Sequence, residues 1–257
     1  MFQETISDEY IVIQSGTSEG SQIKYRKDNY WYKKDNRGHE GRTEYLCSKL
    51  LSFSTLEQSE YVEYEQGYIN QNMGCRSKNF LNPGEELITF YRLYYNEFGK
   101  DLSEVIGRME TMEERIGYVV NFIKQTCLID ITDYMKKIFT LDWIILNEDR
   151  HLNNLAVVFQ DGIFVPAPIF DNGVSLLTAN LSVNWNFSIE DNVKRVIARP
   201  FCGSHEKMLN YFGKGFELNV PAALEWLDKE TNSREKEVLM YQIKKISENI
   251  AGDKSNG

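Results

Sequence analysis

The amino-acid sequence predicts an α+β fold of two lobes, in which a strand-rich N-terminal lobe precedes a mainly helical C-terminal lobe. The first third of the 257 residues contains short segments rich in β-branched and aromatic residues. From residue 85 onwards, apolar residues recur at the spacing of amphipathic helices. The sequence Asn82-Pro83-Gly84 interrupts both patterns. We therefore expect an N-terminal lobe of residues 1–82 and a C-terminal lobe of residues 83–257.

Five short strands and one helix are expected in the N-terminal lobe. The strand segments are β-branched or aromatic and lie between turn-forming residues; they are Ile11–Ile13, Gln22–Tyr25, Tyr30–Lys33, Tyr61–Glu65 and Met73–Ser77. Lys27-Asp28-Asn29 has the composition of a hairpin turn. A helix is predicted over Arg42–Leu51, because its apolar residues recur at helical spacing.

The C-terminal lobe is predicted to consist of helices and one β-hairpin. Helical periodicity marks the segments Leu87–Phe98, Leu102–Met109, Met112–Leu128, Ile131–Leu146, His205–Phe212, Pro221–Leu227 and Arg234–Ile250. The strands Leu155–Phe159 and Ile163–Val165 flank the turn Asp161-Gly162, which is typical of a hairpin. In the helix Ile131–Leu146, Asp142 shares a broad face with apolar residues, and we expect this face to point to the core.

Composition restricts the classes of partner. The net charge of −9 argues against a broad surface for nucleic acid. The longest apolar runs are far shorter than the roughly 18 residues of a membrane-spanning helix. The four cysteines are widely spaced and form no CxxC pair, so we expect reduced thiols and neither a zinc site nor a redox motif. We expect a cytoplasmic protein without direct nucleic-acid contacts and without a membrane span.

The residues with the clearest chemistry flank the predicted hairpin. Asp149 is followed five residues later by Asn154, and Asp171-Asn172-Gly173 comes after the second strand. This is the spacing of a kinase active site, where a carboxylate orients the attacking hydroxyl and oxygen ligands hold Mg²⁺ against nucleotide phosphates. Asp149 can supply the base, and Asn154 and Asp171 the metal ligands. Gly173 would let the chain turn sharply away from the metal.

Two neighbours of Asp149 are further candidate catalytic residues. His151 can brace the loop through a hydrogen bond or contact the phosphates, and we favour the brace. Arg150 can pair with a phosphate group on the substrate or the protein. The alternative for Arg150 is a solvated cation of the loop.

A second group of residues, in the N-terminal lobe, is suited to hold a nucleotide. Between the first two predicted strands lies a loop whose backbone N–H groups can approach phosphates, with the residues Gly16, Thr17, Ser18, Gly20 and Ser21. Lys33 on the third strand can reach the α- and β-phosphates. Strand alternation puts Lys34 on the other face, and the pattern alone does not decide which face lines the cleft.

The predicted helix after Lys33 offers a carboxylate to fix its ammonium group. Glu44 lies on the same helix face as Cys47 and Leu51, so we expect it to point inwards and pair with Lys33. Glu40, one turn earlier, is the alternative. The adenine is expected between the lobes near Ser77 to Leu81, which makes Asn79 a candidate nucleotide-binding residue.

Taken in order along residues 10–180, these features resemble the HipA-like kinases, bacterial proteins with a protein-kinase-like fold and Ser/Thr kinase activity. The resemblance is most specific at Asp149–Asn154 and Asp171, whereas the glycine loop is loosely matched. It implies a catalytic Asp149, metal-binding Asn154 and Asp171, and a lysine on the ATP phosphates. It also implies ATP and Mg²⁺ as cofactors, a protein substrate with a Ser/Thr acceptor, and an antitoxin or regulatory protein as partner.

Other functions remain open at this point. Asp149-Arg150-His151 with Asn154 also resembles the catalytic loop of phosphatidylinositol kinases, and Phe170-Asp171-Asn172-Gly173 resembles the metal motif of some of them. A nucleotide-binding pseudokinase and a nucleotidyl transferase are further alternatives. Small-molecule phosphotransferases share the Asp-to-Asn spacing, but their motif usually has His where this chain has Asn147.

Overall fold

A computed structural model describes residues 1–12, 22–36, 38–178, 180 and 182–255, with side chains as far as residue 247. Within these residues the chain forms two β-sheets and nine α-helices. The strand-rich part comes first, and most of the helices follow it. The predicted α+β class is therefore confirmed, while the lobe boundary at residue 82 stays a prediction.

The N-terminal sheet has five strands in the order β1-β4-β5-β3-β2. The strands are β1 (Phe2–Glu4), β2 (Lys24–Lys27), β3 (Tyr30–Lys34), β4 (Glu65–Ile69) and β5 (Asn72–Lys78). β1 pairs with β4 in parallel, and all other pairs are antiparallel. Asp28, Asn70 and Gln71 have positive φ values of 54°, 48° and 66° in the two tight turns that close the hairpins β2–β3 and β4–β5. Asp and Asn tolerate this left-handed backbone better than most residues.

Two predicted strands differ from the structure. Tyr61–Glu65 was expected as a strand, but β4 starts only at Glu65, and Tyr61 forms a single parallel bridge with Ile169. The alternating pattern there reflects an extended segment whose partner is the distant chain around Ile169 rather than a neighbouring strand. Of the predicted strand Ile11–Ile13, Ile11 makes one bridge to Tyr25, and residue 13 lies outside the described residues.

The helices and the second sheet build the remainder of the molecule. The helices are α1 (Glu40–Leu51), α2 (Phe90–Phe98), α3 (Leu102–Gly107), α4 (Met112–Cys127), α5 (Thr132–Ile145), α6 (Ile189–Val193), α7 (His205–Phe212), α8 (Val220–Lys229) and α9 (Arg234–Ser255). The second sheet is antiparallel, with the strands β6 (Glu86–Thr89), β7 (Ala156–Gln160) and β8 (Ile163–Pro166).

The predicted helix Leu87–Phe98 is wrong in its first turn. Residues up to Thr89 belong to β6, which pairs with β7 through Ile88 and Val157. The hydroxyl group of Thr89 accepts a hydrogen bond from Arg92 N at 3.1 Å and so caps the start of α2. The apolar spacing of Leu87 and Ile88 fits a helix as well as a strand, and only the distant partner β7 decides between them.

Helix α1 lies unusually close to the N-terminal sheet. A Cβ atom added at Gly41 would lie 2.5 Å from the carbonyl carbon of Gly74 in β5. On the other face of α1, Leu46, Leu50 and Leu51 are fully or almost fully buried in the main core. Two glycines at the contact thus let the helix and the sheet approach to a distance that side chains would prevent.

Candidate active site

A cleft of about 370 Å³ lies between the N-terminal sheet and the β6–β7 region. Lys33 and Asp171 lie at its polar end, together with Asn154. Most of its lining surface is apolar and comes from Trp31, Val62, Phe80, Leu81, Leu87 and Phe170, while polar residues such as Ser77, Glu85, Thr89, Arg92 and Asn153 also line it. A mostly apolar wall with polar groups among it is typical of sites for small ligands.

Lys33 stands at the centre of the polar end. Its Nζ lies 2.6 Å from Glu44 Oε1 and 2.7 Å from Asp171 Oδ1, although these partners are 11 and 138 residues away in the sequence. Burial lowers the pKa of Lys33, but the carboxylates of Asp171 and Glu44 outweigh this effect and hold the pKa well above its ordinary value. The sequence left a choice between Lys33 and Lys34 on β3 and between Glu44 and Glu40 on α1. The structure brings Lys33 and Glu44 together.

Glu44 connects α1 to the segment that carries Asp171. Its second carboxylate oxygen, Oε2, accepts a hydrogen bond from Asn172 N at 2.8 Å. The side chain of Glu44 is 1% exposed, so this carboxylate is effectively sealed in the protein. Gly173, the next residue, packs against α1: an added Cβ would lie 3.4 Å from Glu44 Cγ. The position of α1 therefore fixes both Lys33 and the backbone beside Asp171.

The sharp turn at this motif falls on Asp171 itself rather than on Gly173. Asp171 has a φ of 60°, in the left-handed region, whereas Gly173 does not have a positive φ. Asp tolerates the left-handed region better than most residues, and the turn at this position re-aims the chain so that the Asp171 carboxylate meets Lys33. Burial raises the pKa of Asp171, but the ammonium groups of Lys33 and Lys24 outweigh it and hold the pKa far below its ordinary value. Asp171 is therefore ionised throughout the physiological range.

Two residues near Lys33 and Asp171, Lys24 and Tyr64, were not anticipated from the sequence. Lys24 Nζ lies 3.7 Å from Asp171 Oδ2, because Lys24 on β2 is directly paired with Lys33 on β3. The hydroxyl group of Tyr64 accepts hydrogen bonds from Asp171 N at 3.3 Å and from Lys33 Nζ at 3.5 Å. Lysine at position 24 could have been found by pairing the predicted hairpin strands, whereas Tyr64 gave no signal. We call Lys24, Lys33, Glu44 and Asp171 the cleft cluster.

Asp149 lies on the loop after α5, with its side chain 38% exposed. α5 ends at Ile145 and is capped by Leu146, a left-handed residue with φ 57°. The side chain of Asn147 then accepts a hydrogen bond from Asp149 N at 2.9 Å. Burial raises the pKa of Asp149 above its ordinary value, and the nearby carboxylate of Asp171 adds to the effect. Asn147 thus holds the backbone of Asp149, a role that the sequence did not reveal.

Arg150 corrects an expectation. Its side chain is 0% exposed, so it neither reaches a substrate phosphate nor is a solvated cation. All five of its N–H groups are directed at acceptors: Asp142 Oδ1 and Oδ2, Asn172 Oδ1 at 2.6 Å, and the carbonyl groups of Phe170 and Asn154. The buried side chain of Arg150 therefore connects α5, the Asp149 loop and the Asp171 segment. We call Arg150, Asp142 and Asn172 the buried hub.

His151 and Asn154 complete the loop. His151 Nε2 lies 3.8 Å from Asp149 Oδ2, too far for a hydrogen bond, and Nδ1 has no partner among the described residues. The brace at His151 is made by its backbone instead, which donates to Asp149 O at 2.8 Å and accepts from Asn154 N at 2.8 Å. Asn154 Nδ2 donates to Asp149 O at 3.0 Å, which commits the amide nitrogen and leaves the oxygen as its ligand atom.

The expected nucleotide-binding residues are partly placed. Asn79 lines the cleft with Ser77 and Leu81, but its amide group accepts from Trp31 Nε1 at 3.2 Å and donates to Leu81 O at 3.0 Å. Its polar atoms therefore brace the chain between β5 and β6. The glycine-loop residues 16, 17, 18, 20 and 21 lie outside the described residues.

The fold is similar to that of two solved structures. The crystal structure of the Helicobacter pylori proinflammatory kinase CtkA superimposes with a TM-score of 0.64 at 16% identity, covering 94% of this chain and 91% of that chain. HipA from the toxin–antitoxin complex of Shewanella oneidensis MR-1 with HipB and operator DNA gives a TM-score of 0.49 at 11% identity, covering 93% of this chain and 66% of that chain. The likeness to CtkA confirms the predicted kinase-like fold.

Comparisons of the sequence itself gave no match. No protein-family model matches the chain. No curated protein matches it either.

Among the described residues, no helix has both the length and the apolar character needed to span a membrane.

Proposed function

We propose that this protein is an ATP-dependent, Mg²⁺-requiring kinase that transfers the γ-phosphoryl group to a Ser or Thr hydroxyl group of a protein. One observation carries the proposal: Lys33 Nζ lies within 2.7 Å of both Glu44 and Asp171, in a cleft that also contains Asn154. A lysine held by a helix glutamate, beside a metal-binding aspartate, is the arrangement that phosphoryl transfer uses in protein kinases.

The cleft residues fit a magnesium nucleotide. Trp31, Phe80 and Phe170 offer flat or apolar surface to an adenine, and Lys24 and Lys33 supply cations for phosphate oxygens. Asn154 and the ionised Asp171 are hard oxygen donors of the type that Mg²⁺ prefers. The described residues contain no cluster of three or more His, Cys, Asp or Glu that could hold a metal alone. This fits Mg²⁺, which usually takes one or two protein ligands and completes its shell with phosphate and water oxygens.

In this proposal each residue has one task. Bound Mg²⁺ would neutralise charge on the phosphates and would be held by Asn154 and Asp171. Lys33, released from Asp171 and still fixed by Glu44, would bind phosphate oxygens. Asp149 would accept a hydrogen bond from the acceptor hydroxyl group, orient its oxygen towards the γ-phosphorus and take its proton as the new O–P bond forms, while the bond from the γ-phosphorus to the β–γ bridging oxygen breaks and ADP leaves. Arg150 would act only by holding the loop and the Asp171 segment in register.

The choice of a protein Ser/Thr acceptor rests on the sequence resemblance and on the surroundings of Asp149. Glu148 Oε1 accepts hydrogen bonds from Ile197 N at 3.2 Å and from Asn180 Nδ2 at 2.7 Å, which holds the chain around residue 197 beside the catalytic loop. Ile197 itself is 63% exposed. A chain segment fixed beside the loop of Asp149 is a candidate contact for the acceptor, and the choice of a protein acceptor rests mainly on the sequence resemblance. An antitoxin or regulatory protein as partner likewise stays a proposal from the resemblance.

The test is to incubate the purified protein with γ-labelled ATP and Mg²⁺ and to follow the label into protein, lipid and water. Asp149→Ala and the isosteric Asp149→Asn are compared with the wild type. We expect label on protein Ser/Thr, and a loss of at least about 100-fold in turnover in both variants, because orientation and proton transfer are lost together. Binding of ATP, measured by calorimetry, should change little.

Four outcomes would contradict the proposal. Wild-type turnover by the Asp149 variants would remove the assigned base. Label only in added phosphatidylinositol vesicles would identify a lipid kinase instead. ATP binding without transfer from γ-labelled ATP would favour a pseudokinase, and transfer from α-labelled ATP would identify a nucleotidyl transferase.

A further inference from the structure

A second contact holds α1, on the side that faces away from the cleft. Arg42 and Tyr45 flank Glu44 in the sequence and both reach Glu230, the residue that follows α8. Tyr45 Oη donates to Glu230 Oε1 at 2.6 Å, and Arg42 Nη2 lies 3.1 Å from Glu230 Oε2. The two outward-pointing residues of the helix are thus held by one carboxylate from the opposite end of the chain.

Glu230 is itself firmly placed. Its carboxylate accepts a third hydrogen bond, from Trp226 Nε1 at 3.0 Å, and its carbonyl oxygen accepts from Lys236 Nζ at 2.7 Å. Burial raises the pKa of Glu230, but the bonds from Tyr45, Trp226 and Arg42 outweigh it and lower the pKa below its ordinary value. The ring of Trp226 also stacks on Phe53, just beyond α1, with ring centres 5.4 Å apart.

The contact has no packed layer behind it. A cavity of about 740 Å³, larger than the cleft, borders Arg42, Tyr45 and Glu230 on this side of α1. In a close-packed interior, many neighbouring side chains hold a helix in place when one polar contact is lost. Arg42 has two further acceptors, Gln66 Oε1 at 3.3 Å and Thr231 O at 3.1 Å, whereas the hydroxyl group of Tyr45 is bound to Glu230, so Tyr45 is the residue through which a change at Glu230 acts most directly.

We propose that Glu230 is a positioning residue for phosphoryl transfer, which fixes the outer face of α1 so that Glu44 on the inner face stays within hydrogen-bond distance of Lys33 and Asn172. The inference rests on the proposed kinase function. A helix turn is rigid, so a displacement at Arg42 and Tyr45 moves Glu44 between them. The bonds of 2.6 Å and 2.8 Å that Glu44 makes leave little room for such a shift.

The test compares Glu230→Gln with Glu225→Gln, which removes a carboxylate from the same helix but from an exposed pair with Lys229. We expect Glu230→Gln to lower kcat/KM for ATP about 10-fold, the scale of a lost charge-assisted hydrogen bond. Glu225→Gln should leave it unchanged. Backbone amide hydrogen exchange in residues 43–46, measured without nucleotide, should be faster in Glu230→Gln only.

A double-mutant cycle separates positioning from general stability. If Glu230 acts through Glu44, Glu230→Gln should have little further effect on kcat/KM in a Glu44→Gln background. Full additivity of the two losses would overturn the positioning role, as would wild-type kcat/KM together with wild-type exchange in Glu230→Gln. Should Glu230→Gln fail to fold, Tyr45→Phe replaces it, with an expected loss of about 3-fold.

The exchange measurement also distinguishes the two proposals from each other. If the wild type transfers no phosphoryl group, the proposed kinase function fails. Faster amide hydrogen exchange in Glu230→Gln would then still support the proposal that Glu230 fixes α1. Unchanged exchange would contradict it.

Discussion

The molecule contains two ion clusters within a few residues of each other, and they differ in what their charges can do. In the buried hub, Arg150 and Asp142 are both 0% exposed and every N–H group of Arg150 has an acceptor. In the cleft cluster, two lysines share Asp171 beside an open cleft. A cluster that is sealed and satisfied can only hold structure, whereas one in which two lysines share a partly exposed carboxylate beside a cleft can exchange partners with a ligand.

The largest expected effect breaks the buried hub. Arg150→Ala leaves the Asp142 carboxylate buried without its cation, and we expect it to lower the free energy of unfolding by about 3–5 kcal/mol. Urea denaturation measures this. Lys229→Ala, which removes the cation of an exposed pair whose side chains are both 72% exposed, is the control and should leave the free energy of unfolding almost unchanged, because solvent screens the pair. Similar losses in the two variants would mean that the hub is no more structural than a surface pair.

Breaking the cleft cluster should affect ligand binding as well as stability. Asp171→Asn keeps the shape of the side chain but removes the charge that Lys33 and Lys24 share, so we expect a smaller loss of unfolding free energy than in Arg150→Ala, about 1.5–3 kcal/mol. Calorimetry should show at least about a 10-fold loss of the Mg²⁺-dependent part of ATP binding, because a neutral amide is a poorer ligand for Mg²⁺ than a carboxylate. A strong loss of stability without a change in binding would place Asp171 with the hub instead.

The approach of α1 to the sheet gives a third comparison, between two helical glycines. Gly41→Ala would place a methyl group 2.5 Å from the Gly74 backbone, so we expect a loss of about 1–3 kcal/mol and a weaker Lys33–Glu44 pair. In Gly117→Ala the added Cβ meets nothing within 4 Å, and we expect a gain of about 0.5–1 kcal/mol. Thermal unfolding of both variants tests whether close approach, rather than helix propensity, explains Gly41.

The smallest effect concerns a half-buried carboxylate near the start of α1 that forms no ion pair with any of the described residues. Asp35 Oδ1 accepts from Gly41 N at 2.7 Å, Oδ2 has no partner among the described residues, and burial raises the pKa of Asp35 to about 6. Because the folded protein disfavours its charged form, stability should fall as pH rises from about 4 to 6. Between pH 4 and pH 7, Asp35→Asn should reduce this fall by about 1 kcal/mol in urea denaturation, allowing for solvent screening. An identical pH dependence in the variant would contradict this assignment.

Periodicity and spacing predicted much of the cleft cluster. Helical spacing from Glu44 to Cys47 and Leu51 indicated an inward carboxylate, and the structure places it 2.6 Å from Lys33. The fold class and the helices α3, α4, α5 and α7 were also predicted to within a few residues. These features depend on local periodicity, which the sequence carries directly.

The buried hub was not predicted, although the sequence contained a signal for it. Asp142 was expected on the core-facing side of α5, and a buried carboxylate requires a cation. Arg150 was instead expected at a phosphate or in solvent, because no local pattern connects it to Asp142 or to Asn172. A search for the partner of each charge on a predicted core face would have found the pair.

The sequence by itself determined the order of the chemical groups: a strand lysine, a helix glutamate, then Asp149, Asn154 and Asp171, on elements whose types follow from periodicity. Only the tertiary structure decided that Lys33 rather than Lys34 meets Glu44, that Lys24 joins them, and that Arg150 is sealed beneath the loop. The physical reason is that period and turn chemistry act over a few residues, whereas ion pairing and burial depend on contacts such as Lys33 with Asp171, 138 residues apart.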